Sequence, residues 1–237
     1  MEPATIRLRV DDRVATLTLA RPDRRNAISI QMREEISAAL SAWKADPAVG
    51  AVVITGEGPA FTAGFDLDEF REPARFDALF ASSARYHRDV WSFPKPVVAA
   101  VNGPAMGGGF DLACLCDLRL ASSRASFGHP EIKFGAPPLF TPLRWIVGDG
   151  IARDLCLTGR RIDAAEAHRL RLVSEVVEPD GLAARALAVA RSILEAPAHA
   201  LRFTKAYLAS PGATFEESFR VEHDRAFEEI ILRDRAR

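Results

Sequence analysis

The chain of 237 residues lacks several features that would assign it to a specialised class of protein. Its 31 Lys and Arg residues nearly balance its 32 Asp and Glu residues, so a net charge of -1 offers no basic surface for a nucleic acid. The longest central stretch without charged residues, 96–110, is interrupted by Pro and Gly and is too short to cross a bilayer. We therefore expect no nucleic-acid partner and no membrane span.

Cysteine is also scarce, and Cys114, Cys116 and Cys156 lack the spacing of a metal site or of a disulfide framework. All three lie in apolar surroundings, which predicts small buried hydrophobic side chains in a reducing compartment. The first residues show no basic region followed by an apolar run, so no secretory signal is evident. These observations predict a cytoplasmic protein without a bound metal.

Nucleotide-binding loops are missing as well, although three glycines stand together at Gly107, Gly108 and Gly109. Neither this run nor the glycines at 56–64 match G-x-G-x-x-G or G-x-x-x-x-G-K-[ST]. Glycine lets a ligand approach the backbone closely, and a helix N-terminus directs free N–H groups at negative charge. Because a helical pattern containing Asp111 follows, the run predicts an anion-stabilising corner with an acid beside it.

Short apolar strands alternating with helical patterns predict an α/β core. Ser29 is a plausible N-cap for a helix that reaches about Ala45, with Ile36, Leu40 and Trp43 at helical spacing. The predicted strands are 5–10, 13–19, 51–55, 96–101, 117–121 and 174–177, with a tight turn at Asp11-Asp12 in the first hairpin. Several are apolar on both faces, which predicts a sheet covered on each side.

From about Thr141 the chain is predicted to be almost entirely helical. The predicted helices are 150–157, 164–170, 182–194, 198–209 and 215–235. No internal repeat and no low-complexity linker interrupts the pattern. An α/β core followed by a C-terminal helical region is therefore expected.

Two junctions where a strand leads into a loop, 56–67 and the glycine corner, are candidates for a common site. Ligands collect outside the carboxyl ends of strands in α/β sheets, and each junction could present a backbone N–H there. Two such donors converging on one oxygen would form an oxyanion hole, worth about 3–4 kcal/mol of barrier per donor. Glu131, after Pro130, supplies a second carboxylate, so Asp111 and Glu131 form a candidate acid–base pair.

Ordered motifs extend over nearly the whole chain. They are Arg21-Pro22, Asn26-Ala27, the segments 52–56, 60–67, 95–103 and 105–113, Cys116-Asp117, Pro130-Glu131, and the segments 157–160, 164–167, 172–173 and 176–177. Together and in this register they resemble the crotonase superfamily, also called the enoyl-CoA hydratase/isomerase family.

The resemblance implies a fold and an assembly. The fold is the ClpP/crotonase-like spiral of β-β-α units, expected over 1–180 and containing the active site. A C-terminal helical region, 181–237, is expected to build a homotrimer or a hexamer formed as a dimer of trimers.

The resemblance also implies chemistry on acyl-CoA, most directly a hydro-lyase that hydrates 2-enoyl-CoA thioesters. A double-bond isomerase is the second interpretation. Enzymes that catalyse decarboxylation or C–C bond hydrolysis, and a catalytically weak acyl-CoA-binding protein, are further alternatives. No metal or redox cofactor is required, because CoA arrives as part of the substrate.

Site residues follow from the same resemblance. The backbone N–H groups of Phe65 and Gly108 are expected to hold the thioester oxygen, with Asp111 and Glu131 as the two acid–base carboxylates. Residues expected along the substrate and CoA path are Arg24 near the phosphates, and Ala63, Phe65, Asp66, Leu67 and Gly107.

The chain departs from the family pattern at several positions. Asp111 stands where hydratases typically carry Glu, and misplacing a catalytic group by about 1 Å can cost ~100-fold in rate. Leu139 stands where isomerases of dienoyl-CoA add a further acid, which weakens that reading. The bulky apolar segment 136–145 and Phe65 are expected to reshape and narrow the acyl pocket.

Each site residue also has a purely structural interpretation. Asp111 alone could be a first-turn helix charge, worth under ~1 kcal/mol. We interpret Asp66 as a brace of its own loop rather than a reacting group, and Arg24 could be a solvated surface charge. His129, beside Glu131, is expected to be a satisfied turn histidine rather than a base.

Overall fold

The computed structural model describes residues 3–208 and 215–220 of the chain, and a six-stranded sheet lies at its centre. The strands within this part are β1 (Ile6–Asp11), β2 (Val14–Leu19), β3 (Ala51–Gly56), β4 (Val97–Val101), β5 (Pro104–Met106), β6 (Leu118–Ser122), β7 (Ser126–Gly128), β8 (Ile162–Asp163) and β9 (Glu175–Val177). The large sheet has the order β1-β2-β3-β4-β6-β9, and β5, β7 and β8 form a small second sheet.

The pairing of the strands is mostly parallel. From β2 to β9 every neighbouring pair of the large sheet is parallel, so the loops after β3 and β4 emerge at the same edge. Strands β1 and β2 form an antiparallel hairpin, and β7 and β8 of the small sheet also pair antiparallel. The turn of the hairpin contains the positive φ angles of Asp12 (47°) and Arg13 (62°), one residue later than the predicted Asp11-Asp12 turn.

The helices of the described residues are α1 (Ile30–Ala45), α2 (Phe76–Trp91), α3 (Gly108–Leu115), α4 (Thr141–Val147), α5 (Asp149–Thr158), α6 (Ala164–Arg169), α7 (Leu182–Ile193), α8 (Ala198–Leu208) and α9 (Phe215–Phe219). Short 3-10 helices cover Pro22–Arg24, Leu67–Arg71, Pro73–Arg75, Pro130–Phe134 and Pro179–Gly181. None of the helices in this part of the chain is both long enough and apolar enough to cross a membrane.

The predicted elements agree with the structure to within a residue or two at their ends. The hydroxyl of Ser29 accepts a hydrogen bond of 3.2 Å from the backbone N–H of Met32, which confirms the predicted N-cap of α1. Helix α2 was not predicted. Position 209 of one predicted helix and most of 215–235 lie outside the described residues.

Both faces of the large sheet are covered, as predicted. Along β3, Val52 and Ile54 face the main core beneath α1 and α3, whereas Ala51 and Val53 face a second core. Helix α7 closes this second core with Leu182, Ala186 and Ala190. Burying each large apolar side chain contributes about 1.5–3 kcal/mol, so both cores fix the sheet that carries the loops. The division into 1–180 and 181–237 stays a prediction.

The three cysteines are buried, as the sequence predicts for small hydrophobic side chains. Burial raises the pKa of the Cys116 thiol to about 12 and raises that of Cys114 as well, against a weaker opposing effect of Arg119. At neutral pH both thiols are therefore protonated and poorly nucleophilic.

Candidate active site

Two loops meet at the edge of the sheet where β3 and β4 end. The backbone N–H of Thr62 donates to the carbonyl of Pro104 over 3.1 Å, and Met106 donates to the carbonyl of Thr62 over 3.1 Å. The Asn102 side chain spans the gap by accepting from the backbone N–H of Gly56 at 3.0 Å. These bonds hold the two predicted junctions in one fixed arrangement.

Glycine is required at the contact between the loops. Gly64 has φ +94°, and a Cβ there would lie 2.7 Å from the carbonyl oxygen of Met106 and 3.3 Å from the amide nitrogen of Gly108. At Gly109, a Cβ would lie 2.7 Å from the carbonyl oxygen of Thr62. The absence of side chains therefore lets the two backbones approach each other closely.

The structure brings together the two N–H groups predicted to form an oxyanion hole. Beside Phe65, Ile28 donates to Gly64 over 2.8 Å and Asp66 donates to Ile28 over 3.2 Å, so this segment is fixed. Gly108 is the first residue of α3, where an N–H has no acceptor within the helix. Among the described residues, neither the Phe65 nor the Gly108 N–H donates to another residue.

The two predicted carboxylates lie beside this pair of donors. Asp111 is in the first turn of α3, and its side chain is 11% exposed. Glu131 lies in the 3-10 turn after β7, and its Oε2 would be 3.1 Å from a Cβ placed on Gly107. That oxygen is buried and has no hydrogen-bond partner among the described residues. A buried acceptor without a partner is costly, which makes Oε2 a candidate for contact with a ligand.

His129 lies between the two carboxylates, contrary to the expectation of a satisfied turn histidine. Its Nδ1 is 2.8 Å from Oε1 of Glu131, and its Nε2 is 3.9 Å from Oδ1 of Asp111. The side chain is fully buried, its ring stacks on Phe110 at 4.6 Å between centroids, and Nε2 has no hydrogen-bond partner within the described residues. That part of the chain holds no group of three or more acidic, His or Cys side chains arranged for a metal ion.

A buried ionic network that no sequence pattern predicted lies against the ring of Phe65. The Phe65 ring covers Gly108, where a Cβ would lie 2.8 Å from a ring carbon, and the Arg33 guanidinium lies 4.6 Å from the ring centroid. Arg33 donates to Ser82 over 3.0 Å and is 3.5 Å from a carboxylate oxygen of Glu69. Burial lowers the pKa of Arg33 to about 10, against the attraction of Glu69.

A charge cluster with a buried centre, Asp66, and exposed outer members lies at the rim of the site. Arg24 is paired with Asp68 and lies 3.2 Å from Asp66, which is also 2.9 Å from Arg21. Burial opposes the ionisation of Asp66, but its bonds to the two arginines and to the N–H of Asp68 outweigh burial and lower its pKa. Asp66 therefore braces its loop, as interpreted from the sequence.

The remaining residues predicted for the CoA path, Ala63 and Leu67, are exposed on the same loop. Leu67 is 72% exposed. Both positions are therefore open to a ligand that approaches along the rim.

Comparison with known proteins gives consistent results. A family model described as enoyl-CoA hydratase/isomerase matches residues 9–235. The chain is 41% identical over 204 residues to "Probable enoyl-CoA hydratase echA8" of Mycobacterium tuberculosis, covering 85% of this chain and 79% of that protein. It is 38% identical over 205 residues to "Crotonyl-CoA hydratase" of Syntrophomonas wolfei, covering 84% and 79%.

Solved structures agree with the sequence relatives. An enoyl-CoA hydratase/isomerase from Xanthobacter autotrophicus has a TM-score of 0.86 and 36% identity, over 98% of this chain and 87% of that one. The predicted α/β crotonase-like fold is therefore confirmed.

Proposed function

Because the chain belongs to the enoyl-CoA hydratase/isomerase family, we propose that it is a hydro-lyase that adds water to 2-enoyl-CoA thioesters. One observation carries the proposal. The backbone N–H groups of Phe65 and Gly108 have no protein acceptor among the described residues, and a buried, unpartnered carboxylate oxygen of Glu131 lies beside Gly107, the neighbour of Gly108. Hydration of an enoyl thioester needs this combination of anion stabilisation and proton transfer.

Phe65 and Gly108 stabilise the enolate in this proposal. Attack of water on the β-carbon moves charge onto the thioester oxygen, and the two N–H groups donate to that oxygen. Each donor is worth about 3–4 kcal/mol of barrier, because the loops hold it in place before charge develops. The N-terminal end of α3, which begins at Gly108, adds a favourable dipole.

Asp111 and Glu131 carry out the proton transfers. One carboxylate accepts a proton from the attacking water, and a carboxylic acid delivers a proton to the α-carbon. We assign the protonation of the α-carbon to Glu131, because its Oε2 lies beside Gly107, and Gly107 precedes Gly108, which holds the thioester oxygen. Asp111 then positions the water, and its shorter side chain sets how well that is done.

The exposed rim binds the CoA part of the substrate in the same proposal. Arg24 serves the phosphates, and Ala63, Asp66, Leu67 and Gly107 line the path to the reacting carbons. CoA enters as part of the thioester, so no separate cofactor or metal is involved. We further propose a cytoplasmic homotrimer or hexamer assembled through the C-terminal helical region, which light scattering on the purified protein would test.

The reaction is tested with the purified protein and 2-enoyl-CoA substrates of several chain lengths. Hydration predicts loss of the conjugated-enone absorbance and a product heavier by one water. Binding without turnover would instead favour an acyl-CoA-binding protein.

A double-bond isomerase is the second candidate. It is favoured by the free Oε2 of Glu131, because one carboxylate suffices to remove and return a proton. With 3-enoyl-CoA, an isomerase would produce a gain of the conjugated-enone absorbance without a change of mass.

A further inference from the structure

The histidine between the two carboxylates has no assigned part in the proposed reaction, although it touches both acid–base residues. His129 is fully buried, and its ring is fixed by stacking on Phe110. Its two nitrogens face different partners, with Nδ1 at 2.8 Å from Glu131 and Nε2 at 3.9 Å from Asp111. A histidine with a purely packing role has no need to direct both nitrogens at acidic groups.

The contact between His129 and Glu131 determines which carboxyl oxygen of Glu131 is available to a substrate. Oε1 accepts whether the carboxyl group is ionised or holds on Oε2 the proton that it delivers, so Nδ1 carries a proton and donates it to Oε1. This bond fixes the carboxylate and leaves Oε2, which is buried and unpartnered among the described residues, beside Gly107. The imidazole thus selects the oxygen that faces the reacting carbons.

The contact with Asp111 connects the two carboxylates. Among the described residues, the charged groups recorded against the imidazole are Glu131 from its own turn and Asp111 from α3. Tyr86 of α2 and Cys114 of α3 are the further titratable groups that feel the charge of Asp111, and both are buried.

We propose that His129 is a positioning residue that holds the Glu131 carboxyl group with its Oε2 facing the substrate. This inference rests on the proposed hydratase function for its kinetic consequences. Its geometric part, a protonated Nδ1 bound to Glu131, can be tested without turnover.

Three substitutions separate positioning from packing. In His129→Asn the amide nitrogen stands near the place of Nδ1, whereas in His129→Gln it stands near the place of Nε2. His129→Leu keeps bulk and removes both polar groups. We expect kcat to fall about 10- to 100-fold in the Leu and Gln variants, because the Glu131 carboxylate is no longer held, and to recover in the Asn variant. KM should change little in all three.

One kinetic result would contradict the proposal. Equal kcat values for the Asn and Gln variants would overturn the positioning role, since packing alone does not distinguish the two amides.

Nitrogen NMR of the imidazole in the unmodified protein provides the second readout. We expect a protonated Nδ1 at neutral pH, and a loss of that preference in Glu131→Ala. An unprotonated Nδ1 in the unmodified protein would overturn the inference whether or not the protein turns over enoyl-CoA. Conversely, absence of turnover together with a protonated Nδ1 would reject the hydratase proposal and leave the geometry of His129 intact.

Discussion

Two clusters of acidic and basic side chains flank the proposed substrate path, and they differ in how far their most exposed members reach into water. In the inner cluster, the exposed fraction of the side chain is 0% for His129, 11% for Asp111 and 22% for Glu131. In the rim cluster, Arg24 and Asp68 are each 50% exposed, around an Asp66 side chain that is only 7% exposed. Water and salt screen the rim pair, which limits it to about 0–1 kcal/mol, whereas interactions between the more buried inner groups are screened much less.

The comparison predicts that the inner cluster carries out the chemistry and that the rim cluster contributes to substrate binding. The inner cluster retains buried atoms without protein partners among the described residues, Oε2 of Glu131 and Nε2 of His129. At the rim, Asp66 is bound by Arg21, Arg24 and the N–H of Asp68. Changes to the inner cluster should therefore act on kcat, and changes at the rim should act on KM and on local stability.

The largest effect is expected for Glu131→Gln. Loss of a positioned acid–base group costs about 100- to 10,000-fold, so kcat for 2-enoyl-CoA should fall into that range while acyl-CoA still binds. Glu57→Gln is the matched control, because the Glu57 side chain is 38% exposed and forms an ion pair with the exposed Arg7. Turnover close to that of the control would remove Glu131 from the mechanism.

A smaller loss of kcat is expected for Gly64→Ala. Its Cβ would lie 2.7 Å from the carbonyl of Met106 in a backbone with φ +94°, so the loop that carries the Phe65 N–H must move. Misaligning one oxyanion donor costs about 100-fold or more in kcat. Gly150→Ala, where a Cβ meets nothing within 4 Å, should leave kinetics unchanged. Similar kinetics for both variants would show that the Phe65 donor is dispensable.

Stability rather than chemistry is tested by Arg33→Met. The substitution leaves Glu69 without the cation 3.5 Å away, and breaking a buried pair costs about 3–5 kcal/mol of unfolding free energy. Adding Glu69→Gln should restore much of the loss. Arg75→Met, at an exposed pair with Glu72, should cost about 0–1 kcal/mol in the same urea titration. Equal costs at both sites would remove the distinction between buried and exposed charges.

The pH dependence of stability is expected to report on Asp66. Its pKa is lowered in the folded protein, so its ionisation stabilises the fold above the ordinary Asp pKa of about 3.9. That contribution is lost as the pH falls through the lower pKa of the folded state. The urea concentration at the midpoint of unfolding should therefore be higher for the unmodified protein than for Asp66→Asn at neutral pH. This difference should shrink in acid. A difference that does not depend on pH would contradict this account.

The smallest effect is expected for Asp68→Asn. Asp68 competes with a bound phosphate for Arg24, so its neutralisation should lower KM by up to about 5-fold at low salt, with kcat unchanged. High salt should abolish the difference. A raised KM at low salt would mean that Arg24 serves the loop and not the phosphates.

Much of the fold and part of the candidate site could be predicted from the sequence, because local patterns of residues specify them. Ser29 and the spacing of Ile36, Leu40 and Trp43 predicted α1, and the apolar strands predicted the covered sheet. Ordered motifs predicted the loop residues that meet at Gly108.

The supporting residues could not be predicted in the same way, because their partners are distant in sequence. Arg33 pairs with Glu69 and Ser82 across 36 and 49 residues. One signal was available, since Arg33 lies three and seven positions before Ile36 and Leu40 and therefore on the apolar face of α1. Helix α2 was missed because its buried face includes Ser82, Ser83 and His87, which obscure an apolar stripe.

The central claim is that this protein adds water to a 2-enoyl-CoA at the corner formed by Phe65, Gly108, Asp111 and Glu131. Its most direct test is incubation of the purified protein with 2-butenoyl-CoA in water enriched in heavy oxygen, followed by mass analysis. The account predicts a 3-hydroxyacyl-CoA product that carries one heavy oxygen and that forms far more slowly with Glu131→Gln. Unlabelled product, or recovery of the substrate unchanged, would contradict it.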